Sequence, residues 1–102
     1  MVMKTFDDLE WKNRPEFTFR PGMTKQGTAD LGEGLTISVM DGLTHYSDPG
    51  ESYEVAVLHG GDMLTLGDHD QVLAYQTAHE IELLMMKIQT DNNYVKTLKE
   101  RI

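Results

Sequence analysis

Two runs in the middle of the chain alternate their side chains with period two, and these constrain the fold more than any other feature. Leu35, Ile37 and Val39 alternate with Thr36, Ser38 and Met40, and Tyr53, Val55 and Val57 alternate with Glu54, Ala56 and Leu58. Residues two apart on an extended chain share a face, so each run predicts a strand with one buried side. β-branched and aromatic residues, which pack well on a pleated surface, are frequent in the second run. That run ends in His59-Gly60-Gly61-Asp62, where paired glycines tolerate the positive φ angles of a tight hairpin. Residues 63–66 then read as a short returning strand. Asp41-Gly42 closes the first run, and Asp48-Pro49-Gly50 marks a turn before the second. Three antiparallel strands in meander order are expected.

The period changes further on. Gly67-Asp68-His69-Asp70 breaks the sheet, and residues 72–75 fit a strand or a helix equally well. Thr77-Ala78-His79-Glu80 has the spacing of a capping box. Ile81, Leu84, Met85 and Ile88 follow at helical spacing, and Val95, Leu98 and Ile102 resume the same phase beyond Asp91-Asn92-Asn93. One helix bends at that polar interruption, or two helices meet there. Ahead of the strands, Phe6, Leu9 and Trp11 suit a helical turn followed by an extended tail. Phe17 and Phe19 alternate with Thr18 and Arg20 as a short strand, which Pro21-Gly22 breaks. Residues 23–34 are small, polar and punctuated by Gly27, Gly32 and Gly34, and read as a loop. The expected class is α+β, a small antiparallel β-meander of three to four strands packed against a C-terminal helix. At 102 residues this is a single domain with one modest core and little material for a deep cleft.

Charge is distributed unevenly. From Gln26 to Met86 there is no lysine or arginine, and that stretch carries eleven acids: Asp30, Glu33, Asp41, Asp48, Glu51, Glu54, Asp62, Asp68, Asp70, Glu80 and Glu82. The flanks carry +1 before it and +2 after it, which leaves the net charge of −8. An acidic middle repels nucleic acid and anionic lipid and attracts basic protein surfaces; the plainer reading is that it keeps a small domain soluble. The chain holds no cysteine, which removes disulfides and thiolate chemistry and is typical of a reducing compartment. No apolar stretch follows Met1-Val2-Met3-Lys4 as a signal peptide requires, and none approaches the ~20 residues of a membrane span. A cytoplasmic protein is expected, with no membrane contact and no direct contact to nucleic acid.

Candidate chemistry is thin. Asp68, His69 and Asp70, joined by His59, Asp62 or His79, offer ligand types that suit zinc or manganese. No HxxxH or HExxH spacing is present, however, and Asp68 or Asp70 reads more naturally as a turn or helix cap. Ser38, Ser47 and Ser52 lack the strained elbow of a nucleophilic serine. Gly32-Glu33-Gly34 lacks the lysine and helix start of a phosphate loop. Neither a cofactor nor a metal is expected. Met85 and Met86 offer an adaptable surface or core filling, and a lone tryptophan, Trp11, reads as a core residue ahead of an interface anchor.

Four segments carry a resemblance. They are Lys4-Thr5-Phe6-Asp7-Asp8-Leu9-Glu10-Trp11-Lys12, Gly34-Leu35-Thr36-Ile37-Ser38-Val39, Tyr53-Glu54-Val55-Ala56-Val57-Leu58, and Val72-Leu73-Ala74-Tyr75-Gln76-Thr77 leading into Glu80-Ile81. Together they cover under a third of the chain, and it resembles through them small accessory proteins encoded by phages and prophages. These are fold-bearing segments, not catalytic motifs. The chain departs from the pattern at Glu33-Gly34-Leu35-Thr36, where a glycine-flanked aromatic is expected, and in residues 23–30. The resemblance implies a phage origin, and many such proteins counter host defences by occupying an effector surface.

The resulting expectation is a non-enzymatic phage protein that inhibits a host defence nucleoprotein complex, in the manner of an anti-CRISPR protein, through an acidic surface. Its partner would be a host protein with a basic surface. Asp41, Asp48, Glu51, Glu54, Asp62, Asp68 and Asp70 are the residues expected to carry the contact, competing with phosphate for lysine and arginine side chains. The alternative is a structural or assembly accessory protein that self-associates, as a homodimer or a larger oligomer, through the helix of residues 77–102; a small metal-dependent enzyme comes third.

Overall fold

The two alternating runs pair with each other. A computed structural model describes residues 3–13, 25–41, 52–66 and 72–100. β3 (Leu35–Asp41) and β4 (Tyr53–His59) run antiparallel with Ile37 opposite Val57 and Val39 opposite Val55, and these four side chains are fully buried. β4 turns through Gly60 and Gly61, both at positive φ (59° and 93°), into the two-residue strand β5 (Asp62–Met63). That is the backbone a two-residue hairpin favours, and the glycines supply it without strain. The returning strand is shorter than the sequence implies. Leu64 and Leu66 turn into the core instead, while the Leu64 N–H still reaches the Val57 carbonyl at 2.8 Å.

The sheet is larger than a meander of three or four strands. β1 (Glu10–Asn13), after a 3-10 turn over Phe6–Asp8, pairs with β2 (Lys25–Gly32), and β2 pairs with β3. Most of the segment read as a loop is therefore a strand bonded on both sides. The order is β1-β2-β3-β4-β5, and a sixth strand, β6 (Leu73–Gln76), also pairs with β4. β5 and β6 share the outer edge of β4, the first at its C-terminal end and the second at its N-terminal end. The ambiguous segment is thus a strand, with an extra residue between the pairs Tyr53–Gln76 and Val55–Leu73. Tyr75 sits in that bulge at φ 54°, and bulges of this kind re-aim a side chain; its ring is exposed. The predicted strand around Phe17 and Phe19 lies outside the described residues.

Two helices follow. Thr77 caps α1 (Ala78–Thr90): its hydroxyl accepts from the Glu80 N–H, and its own N–H donates to Glu80 Oε1, both at 3.1 Å. The capping box is as the sequence predicts. The polar interruption separates two helices, because Asp91 Oδ1 accepts from the Tyr94 N–H at 3.0 Å and so caps α2 (Asn92–Lys99). Ile81, Met85 and Ile88 of α1 and Val95 and Leu98 of α2 bury against the sheet face formed by Ala29, Leu31, Leu35, Ile37, Val39, Val55 and Val57. The architecture is α+β, with one core between the sheet and the helices. No helix among the described residues is long and apolar enough to cross a membrane.

Candidate functional site

Strand register decides which acids can act together. Residues 53, 55 and 57 of β4 face the helices, so Glu54 faces outward, directly opposite Met40. Asp41 shares the helix-side face with Val39 and stands across from Lys25. Asp62 is opposite His59 and faces the helix side at the other end of β4. Glu54 therefore shares a face with neither Asp41 nor Asp62, and those two stand at opposite ends of the sheet. Asp48, Glu51, Asp68 and Asp70 lie outside the described residues, as does the Asp68-His69-Asp70 metal candidate.

The structure gathers a different set of acids. Asp8, Glu10 and Asp30 line one groove of about 300 Å³, together with Lys4, Thr28 and Thr36. Glu10 stands opposite Thr28 and Asp30 opposite Thr36, so both carboxylates project from the outer sheet face beside the edge strand β1. Asp30 is held by the tight turn into β3, where its Oδ1 accepts from the Gly32 N–H at 2.9 Å.

Asp8 is fixed from the other side. Its Oδ2 accepts from the Thr5 N–H at 2.7 Å and from the Thr5 hydroxyl at 3.1 Å. The Thr5 backbone bond and then the Thr5 hydroxyl hold the Asp8 carboxyl below its ordinary range against desolvation, with the charge of Lys4 the least of the causes. The segment that carries it is clamped to α1. Gln89 bonds both the N–H and the carbonyl of Lys4, at 2.7 and 2.8 Å, and Glu82 Oε1 accepts from the Phe6 N–H at 3.3 Å.

An aromatic cluster supports the helix-side face of the same edge. Phe6 packs edge-on against Trp11 and Tyr53, with centroids 6.2 and 5.4 Å apart, and Trp11 tilts against Tyr53 at 6.1 Å. Trp11 is not the core residue its rarity implies: 37% of it is exposed, on an edge strand. Burial, and secondarily Asp41, push the Tyr53 hydroxyl above its ordinary range.

The groove acids come from two segments, Asp8 and Glu10 from the opening one and Asp30 from β2, and the β1–β2 register brings them together. Two of them, Asp8 and Glu10, lie outside the long acidic stretch that draws attention in the sequence. Among the described residues no group of three or more histidines, aspartates or glutamates is placed to hold a metal ion. A second groove, of about 410 Å³, is lined by Glu33, Asn92, Val95, Lys96, Lys99 and Glu100 and has mixed charge; Lys99 reaches Glu33 at 3.7 Å. No family model, curated protein or solved structure matches the chain.

Proposed function

We propose that the chain is a non-enzymatic binding protein that takes lysine or arginine side chains of a basic protein surface into the groove lined by Asp8, Glu10 and Asp30. One observation carries this reading: three carboxylates line a single groove without converging on a metal-binding point. Carboxylates spread along a groove suit a guanidinium or ammonium group, which presents several donors over several ångströms. Asp8 is held ionised to lower pH than an ordinary aspartate, so the groove keeps its charge as a partner approaches.

The resemblance to phage accessory proteins extends the proposal. The basic surface is then one that a host defence complex uses to hold nucleic acid, and the carboxylates compete there with phosphate. The chain acts stoichiometrically, as an inhibitor. Capture of host proteins on the immobilised chain at low and at high salt tests the reading. A basic protein retained at low salt and released as salt rises supports it. A partner retained regardless of salt would place the contact on apolar surface instead.

A further inference from the structure

Four large apolar side chains stand exposed among the described residues, and two of them share one line on α1. Leu83 is 52% exposed and Met86 43%, on the side of the helix away from Ile81, Met85 and Ile88. Exposed His79 and Thr90 extend the line at either end. Positions 79, 83, 86 and 90 are spaced by four, three and four, which traces one face of an α-helix.

The charges beside this line indicate what covers it. Glu80 lies one turn before Leu83, and Lys87 lies one turn after it, both on the exposed side. Read along the axis, the face runs acid, apolar, apolar, base. Such a face complements itself when reversed. In an antiparallel pair, Leu83 meets Met86 of the partner subunit, and Glu80 approaches the partner's Lys87. A parallel pair would carry the two charged flanks to opposite sides of the contact, where Glu80 and Lys87 could not meet. We propose that α1 pairs with α1 of a second copy, antiparallel about a twofold axis between Leu83 and Met86. The contact is isologous, so each residue is used twice.

A 13-residue helix is about 20 Å long, and one pair of such helices buries less than the roughly 1,200 Å² of a standard interface. The dimer therefore forms only at high protein concentration. It is independent of the acidic groove, which lies on the opposite face of the sheet.

Sedimentation equilibrium from micromolar to millimolar protein tests the proposal. The wild type should rise toward twice the monomer mass, whereas Leu83→Lys and Met86→Lys should stay monomeric with unchanged melting temperatures. Lys87→Glu should weaken association about tenfold, and so should Glu80→Lys. An equimolar mixture of these two variants should recover it, because each chain then offers the charge the other lacks. Recovery also separates the intersubunit contact from the intrachain roles of these residues, the bond of the Thr77 N–H to Glu80 Oε1 and the stacking of Lys87 on the Tyr94 ring at 4.2 Å, which mixing cannot restore. A wild type that keeps the monomer mass throughout, or that dimerises no better than Leu83→Lys, overturns the proposal. Weakened single variants that do not recover on mixing overturn the antiparallel arrangement.

Discussion

The indole of Trp11 lies against the α-carbon of Gly27, directly across the β1–β2 ladder. A methyl group at position 27 would come within 2.9 Å of two carbons of the ring. The glycine is there for space, and the space is filled by an aromatic ring that closes the end of the sheet over Phe6 and Tyr53.

Gly27→Ala is therefore expected to push the ring off the sheet and to cost about 1–3 kcal/mol, the usual range for overpacking. The chain has one tryptophan, so its emission reports the movement directly and should shift to the red. A denaturation midpoint and an emission maximum that both match wild type would show that the ring does not depend on this gap.

The same pair explains why β2 was not legible. Its core-facing positions are Gly27, Ala29 and Leu31, and its outer ones include Gln26, Thr28 and Asp30. The alternation is there, but two of its three inward residues are too small to register as hydrophobic, and Gly, Ala and Asp are depleted in strands. What holds the strand is tertiary: pairing on both edges and an aromatic ring over its glycine. β3, β4, the glycine hairpin and the Thr77 cap were legible because each depends on local chemistry. The bulge at Tyr75 was not, since a tyrosine at positive φ has no local signature.

The candidate site was harder to read for a related reason. The conspicuous charge feature is the segment without basic residues, whereas Asp8 and Glu10 belong to an opening segment where Lys4 and Lys12 mask them in any charge count. Pairing of β1 with β2 is what joins them to Asp30, and that depends on the strand the sequence hid.

Packing of α1 makes a graded prediction. Met85 is fully buried, Leu84 only half-buried, and Leu83 exposed. Met85→Ala should cost about 2–5 kcal/mol, Leu84→Ala clearly less, and Leu83→Ala no more than about 0.5 kcal/mol in dilute solution. Urea denaturation of the three variants checks the order. Equal costs at 84 and 85 would mean the helix is rotated from the described orientation.

Tyr53 provides a pH test. Burial and the Asp41 carboxylate both disfavour its phenolate, so its folded pKa lies above the ordinary 10.0. A raised value means that the folded state holds this proton more tightly than the unfolded chain. The contribution is fully present below pH 10 and is lost as pH rises through the folded pKa. Asp41→Asn removes one cause and should lower the Tyr53 pKa without returning it fully to 10.0, because burial is the larger effect. Spectrophotometric titration against Tyr53→Phe isolates the signal. An unchanged value in Asp41→Asn would mean that this carboxylate does not act on the ring.

The central claim is that the groove of Asp8, Glu10 and Asp30 binds basic side chains. Its most direct measurement is the affinity of the double variant Glu10→Lys, Asp30→Asn for the basic protein captured by wild type. Asparagine keeps an acceptor for the Gly32 N–H and lysine stands on an exposed edge strand, so the melting temperature should be nearly unchanged. The groove nevertheless loses two negative charges and gains a positive one. Titration calorimetry at low salt should show binding at least tenfold weaker, about 1.4 kcal/mol, with a shallower dependence on salt than wild type. A double variant that folds and binds with wild-type affinity and salt dependence would contradict the account.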